Sequence, residues 1–337
     1  MTNGATARMT IHPDLWPAIA AAIIGAPLLV WLAIWYRRRF RSLSTRRRVT
    51  FGLAVLVLHA GYWLGLYAFF VEPKTLIVRE EAVHSEQWTG APLRIALIAD
   101  PHIGGAHVNA ARMERIVARV NANAPDIVFL LGDYIDGHES VHDRSAKANA
   151  DIAAGLAAFA ALEAPAFAVI GNHDVWFGDD AVERALQQAG VTVLWNDHAL
   201  FTRDNGEMIQ IVGLEDNDTM NPDYKDAFAG AGLETALIIS HSPDPFATMP
   251  ASVAARTAAM FAGHTHCGQV RLPFVPMRLP SRYGERFACG LINENGRQLY
   301  VAGGIGTSVL PLRFRSPPEL VFVTLRSDAD EPVLAAN

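Results

Sequence analysis

Five short clusters in this 337-residue chain put donor atoms at the ends of apolar runs. They are Asp100-Pro101-His102, Gly132-Asp133-Tyr134-Ile135-Asp136, Gly171-Asn172-His173-Asp174, His241-Ser242-Pro243 and Gly263-His264-Thr265-His266. The donors are carboxylates, imidazoles and one amide oxygen, with no thiolate among them. That set suits a pair of first-row divalent ions rather than a structural zinc site. Taken singly, Asp100 also reads as a turn residue, Asp133 and Asn172 as helix caps, and His241 as a hydrogen-bonded histidine after a strand. Histidines at alternate positions, 264 and 266, are harder to assign to packing. Five clusters in order, all where a strand stops and the chain turns, argue for one site. His107, His138 and His142, on loops beside these clusters, read as solvated or rim residues.

The elements that must position these residues follow from the apolar pattern. Strands are expected at 93–99, 127–131, 166–170, 209–214, 236–240, 258–262, 299–302 and 320–325, and helices at 109–123, 146–162, 180–189 and 222–229. The strand runs are continuously apolar rather than alternating, which implies an α/β domain with sheets buried on both faces. Residues 75–88 read as a polar link containing one strand, and the tail from 327 as polar and frayed.

The first seventy residues differ in kind. After an N-terminal segment (1–14), residues 15–36 form an almost uncharged run, about 33 Å long as a helix and enough to cross a bilayer. A second such run spans 49–71. Between them, 37–48 carries seven arginines and no acid, and a short basic loop of this kind stays cytoplasmic. The N-terminus and everything after Val71 then lie on the other face. Arg46-Arg47 also reads as a twin-arginine export signal, but no small-residue cleavage pattern follows, so a retained anchor is expected. Either way the remainder is exported: a juxtamembrane linker with a strand (72–92), a catalytic domain (93–326) and a polar tail (327–337). The expected location is the inner membrane of a bacterium, multi-pass, with the domain periplasmic or extracellular.

Charge supports the division. Of the 28 Lys+Arg and 34 Asp+Glu, residues 72–337 hold 20 and 33, a balance of −13. A domain this acidic lacks the basic footprint of a nucleic-acid binder. Within it, seven arginines between 271 and 315 face only Glu285 and Glu294. Cys267 and Cys289 could pair in an oxidising compartment; the sequence does not fix their separation, and unpaired side chains are the expectation. Neither has the partner motif of a nucleophile.

The order D-x-H, G-D-x-x-D, G-N-H-D, H, G-H-x-H resembles the calcineurin-like metallophosphoesterase superfamily. The continuation Gly263-His264-Thr265-His266-Cys267-Gly268-Gln269, with Gly306-Thr307-Ser308 and Pro311-Leu312-Arg313 near the end, is similar to its membrane-anchored bacterial phosphodiesterase-like branch. The resemblance spans about 93–325. It implies a four-layer αββα sandwich of two mixed β-sheets flanked by helices, here preceded by two transmembrane helices. Carried over by position, it implies that Asp100, His102 and His266 hold one metal and Asn172, His241 and His264 another, with Asp133 bridging. His173 would meet the substrate phosphate and leaving group, oriented by Asp174, with Asp136 acting from behind the ligands. Manganese is the expected ion, with iron or zinc as alternatives. Only Asp100 and Asp133 are anionic among these ligands, so two divalent ions keep a charge of about +2, suited to drawing in phosphate. The implied reaction is phosphodiester or pyrophosphate hydrolysis by a hydroxide shared between the ions.

Two departures narrow the reading. The arginine that follows the second motif in the superfamily's protein phosphatases is replaced here by Gly137-His138-Glu139, which disfavours a protein substrate. Cys267 stands where relatives have glycine. The proline-rich segment 272–280, interleaved with arginine, reads either as an ordinary surface loop or as a lid contacting lipid. The expected partners are the bilayer and a phosphoester or pyrophosphate substrate, lipid-linked or small, with no nucleic acid and no protein partner. Two alternatives stand beside this. One is a pyrophosphate hydrolase acting on a UDP-linked diacylglucosamine in lipid A metabolism, whose cytoplasmic setting the topology opposes. The other is a non-catalytic metal-binding scaffold, which the intact donor set opposes.

Overall fold

The uncharged runs become two long helices, α1 (Trp16–Arg39) and α2 (Thr45–Leu66). The structure, a computed structural model, describes residues 12–137 and 139–330. Arginine is a good helix former, so both helices extend into the basic segment and leave only a short turn. They pair as an antiparallel hairpin: Tyr62 Oη donates to Ala22 O at 2.8 Å, and Tyr36 Oη to Arg48 O at 2.9 Å. Their apolar surface is almost wholly unburied, and each is long and apolar enough to cross a membrane. A π-helical turn, Tyr67–Val71, leads from α2 into the following domain.

That domain is two six-stranded sheets. The first has the order β1 (Ile77–Ser85), β12 (Glu319–Ser327), β2 (Leu93–Ile98), β3 (Ile127–Leu130), β4 (Ala166–Ala168), β5 (Thr192–Val193). The second runs β10 (Gly290–Glu294), β11 (Arg297–Val301), β9 (Thr257–Ala262), β8 (Ala236–Ile239), β7 (Met208–Gly213), β6 (Asp197–Thr202). Strands β2 to β5 are mutually parallel, as are β7, β8, β9 and β11, while β12, β6 and β10 make the antiparallel pairings. The sheets are therefore mixed, as expected.

Three packed layers explain the continuous apolar runs. Between the sheets lie Leu93, Ile95, Phe129, Leu237, Ile239 and Phe261, with the Phe129 and Phe261 rings 5.4 Å apart. Outside the first sheet, α3 (Ala110–Asn121), α4 (Ala146–Ala157) and α5 (Asn172–Gln188) cover Ala96, Ile98, Val128 and Leu130. Outside the second, the short α6 (Tyr224–Ala227) and α7 (Ala251–Ala254) cover Ile238 and Met260. Helix starts are set by side-chain caps: Asn109 accepts from Arg112 N at 3.0 Å and Ser145 from Ala148 N at 3.2 Å.

Several boundaries differ from expectation. The 180–189 helix begins at Asn172, because the helical path continues across a kink at Gly178 (φ 136°) that only glycine accommodates easily. The 222–229 helix shrinks to four residues, and 146–162 ends in a 3-10 turn from Ala158. Strands β5, β6 and β10 were not expected; two residues, or a half-exposed edge, give too weak a pattern. The strand within 75–88 is β1, parallel to β12. Cys267 and Cys289 are joined in a disulfide, with Cα atoms 4.9 Å apart, contrary to the unpaired expectation: the fold returns β10 to the turn after β9. Of the tail, Ser327 closes β12, and 331–337 lie outside the described residues, as do 1–11 and His138.

Candidate metal centre

The parallel strands deliver the five clusters to one edge. Asp100 and His102 follow β2, Asp133 and Asp136 follow β3, Asn172 to Asp174 open α5 after β4, His241 follows β8, and His264 and His266 follow β9. The backbone there is strained. Asp100, His102, Asp133, His264 and His266 all have φ between 47° and 71°, a region that non-glycine residues avoid. Such a concentration is typical of a site whose geometry is over-determined by its surroundings. Glycines make the approach possible: a β-carbon on Gly263 would come within 2.7 Å of Asp100 Oδ2, and one on Gly132 within 2.8 Å of His241 Nδ1.

Two donor clusters form. In one, His241 Nδ1 lies 2.8 Å from the Leu131 carbonyl and donates there, which turns Nε2 toward the cluster. Around that Nε2 stand His264 Nδ1 at 2.9 Å, Asn172 Oδ1 at 3.1 Å and Asp133 Oδ2 at 3.3 Å. Lone pairs facing one another at these distances repel unless a cation or proton lies between them. In the other, His102 Nε2 lies 3.1 Å from His266 Nε2, which is 3.8 Å from Asp100 Oδ1. Asp133 Oδ2 is also 3.7 Å from His102 Nε2, so one oxygen is shared by both clusters, while Oδ1 accepts from His173 N at 2.9 Å. The donors of Asp100, His102 and His266, and those of Asp133, His241 and His264, each lie within 4.8 Å of one another. Nearly all are buried. Ligand bonds of about 2.0–2.1 Å to imidazole nitrogen put neighbouring donors about 3 Å apart, so the residues present fit a pair of divalent ions.

The electrostatics of the cluster agree. Burial pushes Asp100 up to about 7, with His241 pulling the other way and Asp133 adding to the rise. Burial also works against the Asp133 carboxylate, but His241, His173 and His102 more than offset it and hold Asp133 well below the usual range. His266 is pushed well down by burial, His102 and Arg313. A buried pocket of carboxylates and imidazoles whose ionisations are set by each other is a place made for added positive charge.

His173 stands over the edge of the cluster that holds His102, its ring centroid 4.6 Å from that of His102 and 4.8 Å from that of Trp176. Gly137 N donates to His173 Nδ1 at 3.3 Å, which places the ring proton on Nε2, and Ser308 Oγ lies 3.2 Å from Nε2. Asp174 accepts from Gly171 N at 3.0 Å and Ile135 N at 3.2 Å, pinning the turn that carries His173 and closing the first turn of α5. Burial, then Asp133, pushes Asp174 well above the usual carboxylate range. Asp136, half-buried, belongs to a third donor group with His102 and His173, and its carbonyl accepts from Arg144.

Three contacts were not foreseen from the residue pattern. Asp218 Oδ2 lies 3.2 Å from His264 Nε2, on a loop braced by Asp216 Oδ2 accepting from Thr219 N and Oγ1. Arg313, wholly buried, places Nη2 3.1 Å from His266 Nδ1 and donates to the Gly303, Gly306 and Ser316 carbonyls. Ser308 meets His173. Asp218 sits in a run of acids and asparagines with no pattern to single it out; Ser308 and Arg313 lie in segments noted only by resemblance. His107, expected on the rim, is instead buried and bonded to the Pro311 carbonyl at 2.8 Å, because the 308–313 segment folds over it. His142 is exposed, as expected.

The sequence model of the calcineurin-like phosphoesterases matches residues 93–268, more than half of the chain. The chain is 27% identical over 286 residues to the metallophosphoesterase YkuE of Bacillus subtilis, covering 82% of this chain and 94% of that protein. It is 27% identical over 288 residues to the phosphodiesterase YaeI of Escherichia coli, covering 84% and 99%. A transmembrane protein with a metallophosphoesterase domain from Danio rerio is 26% identical over 246 residues, 69% of this chain and 53% of that one. With the two-sheet fold and the donor clusters at its edge, the chain belongs to the calcineurin-like phosphoesterase family and is a metal-dependent phosphoester hydrolase.

Proposed function

We propose that this hydrolase is anchored in a membrane and cleaves a phosphodiester or pyrophosphate bond with two divalent ions, manganese first among the candidates. The observation that carries the dinuclear reading is Asp133 Oδ2, placed 3.3 Å from His241 Nε2 in one cluster and 3.7 Å from His102 Nε2 in the other. Asp100, His102 and His266 would hold one ion, Asn172, His241 and His264 the second, and Asp133 both. Two such ions supply a water-derived nucleophile at neutral pH and offset charge on the non-bridging phosphate oxygens. The chain's own groups do the rest. His173, with its proton on Nε2 and facing the open edge, hands that proton to the departing oxygen. Gly137 N fixes the tautomer, Ser308 steadies the ring, and Asp174 fixes the turn beneath it.

The anchor is the α1–α2 hairpin, with its arginine turn cytoplasmic and the catalytic domain outside. Support comes from both flanks of the hairpin reaching the same domain: His12 Nε2 lies 3.0 Å from Gly104 O, and Arg313 N donates to Ala68 O at 3.0 Å. The Cys267–Cys289 disulfide suits an oxidising compartment. The substrate is lipid-linked or a small phosphoester at that surface.

The test is hydrolysis of bis-p-nitrophenyl phosphate by the full chain with added manganese, run alongside Asp133→Asn. The wild type should turn over and the variant should lose both activity and bound metal. No turnover with any divalent metal would refute the reading. Activity of a reporter that works only in the cytoplasm, fused to the C-terminus, would overturn the topology.

A further inference from the structure

Among the described residues the hairpin meets the catalytic domain at one end, and it is the end that carries the metal centre. His12 contacts Gly104, in the loop after β2. Pro73 O accepts from Arg112 Nη1 at 2.9 Å, beside the start of α3. Ala68 O accepts from Arg313, and Glu72 accepts from Ser316 N at 2.6 Å, both in the segment after β11. All of these loops leave the carboxyl ends of strands, the edge where Asp100, Asp133, Asn172, His241 and His264 stand.

Two loops at that edge expose apolar side chains. Phe274 is fully exposed and Val275 more than half exposed, while Val309 is 77% exposed and Leu310 54%. The base of the first loop is joined to the second: Gln269 Nε2 donates to the Ser308 and Leu310 carbonyls at 2.9 and 3.0 Å, and Arg271 N donates to Phe314 O at 2.9 Å. The Cys267–Cys289 disulfide closes the base of the first loop. Arg271 and Arg315 are exposed on the same strip, and neither side chain meets a carboxylate among the described residues. Apolar tips flanked by unpaired arginines match an anionic bilayer surface, apolar below and negative at the headgroups.

We infer that these two loops rest in the headgroup layer of an anionic bilayer, so that the metal centre opens onto the membrane and takes its phosphoester from a lipid there. The inference rests on the anchored reading above and adds the orientation, the contact surface and the source of substrate. Continuity with the hairpin commits the surface to the bilayer: the residues just after α2 and the 308–314 segment are hydrogen-bonded to each other.

The experiment uses the full chain in nanodiscs of phosphatidylcholine with phosphatidylglycerol. The photocrosslinker p-benzoylphenylalanine replaces Phe274, Val309 or, as control, Leu233. Leu233 is 95% exposed but precedes β8, at the opposite end of the sheets. These positions are on the surface, so folding is not at stake. After illumination, lipid adducts should form at 274 and 309 and stay at background at 233. Omitting phosphatidylglycerol should lower the yield at 274 about fivefold, the effect of one basic residue near an anionic surface. A chain that co-elutes with the discs but gives no adducts at 274 and 309, or equal adducts at 233, overturns the inference while the anchor stands. An unchanged yield without phosphatidylglycerol overturns the anionic-lipid commitment. A chain that does not enter the discs overturns the anchor and this inference with it.

Discussion

The two halves of the metal centre are backed by opposite charges. His264 has the Asp218 carboxylate behind it, 3.2 Å from Nε2, and His241 has the Leu131 carbonyl. His266 instead has the Arg313 guanidinium behind it, 3.1 Å from Nδ1. An acceptor behind an imidazole raises its basicity and strengthens it as a ligand; a cation draws density the other way. The backing of the imidazoles alone makes His264 the better donor and His266 the poorer one. His173 stands beside His102, in the half that holds His266. On the reading proposed above, the His264 half is the anchoring half and the His266 half, beside His173, the working half. The working half also carries the connections outward, through Arg313 to Ala68 and through Cys267 to Cys289.

The largest effect that would sharpen this contrast comes from His173→Ala. It should lower kcat about 10²–10⁴-fold, the span of a lost general acid, while both ions remain by metal analysis. Loss of an ion from this variant would make His173 a ligand and break the contrast. Next is Cys289→Ser, which opens the staple beside His266. Unfolding free energy, measured by denaturant titration, should fall by about 3 kcal/mol for a closed loop of this length. An unchanged midpoint would show that the staple does not brace the working half.

Asp218→Asn probes the anchoring half alone. Calorimetric metal titration should show one binding event weakened about 10–100-fold with the other unmoved. Equal weakening of both, or of neither, would contradict the assignment of Asp218 to His264. The smallest effect concerns His107, which holds the 308–313 segment through Pro311. Burial is the main cause of its pKa falling to about 4, against about 6.5 in an unfolded chain. Between those values the unfolded chain binds the extra proton, so this contribution is fully present above the unfolded pKa and is lost as pH falls toward 4. The loss should be on the order of 1 kcal/mol at pH 6. His107→Gln should flatten that part of the stability profile, and an unaltered slope would remove His107 from the support of this segment.

What the sequence made legible follows the same division. Asp100, His102, Asp133, Asn172, His241, His264 and His266 each end or follow a continuously apolar run, and a parallel strand delivers its carboxyl end to a shared edge whatever the loops do. Residue type plus strand position was therefore enough to gather them. Asp218 was not legible: it follows the acids Glu215 and Asp216 and the amide Asn217, and only the turn around Asp216 aims it at His264. The Cys267–Cys289 pairing depends on β10 returning to the turn after β9, a matter of tertiary path rather than spacing. His107 looked like a surface loop residue because the segment that buries it lies two hundred residues away. The edge strands β6 and β10 escaped notice because a strand half-exposed at a sheet margin carries a mixed pattern.

On the proposed reading Asp133 lies between two ions, one in each donor cluster. Anomalous diffraction from crystals grown with manganese tests it directly. The expected result is two peaks about 3.5–4 Å apart, as in two-metal hydrolytic sites, one among Asp100, His102 and His266 and one among Asn172, His241 and His264, with Asp133 contacting both. A single peak, or a pair that leaves Asp133 uncoordinated, would contradict it.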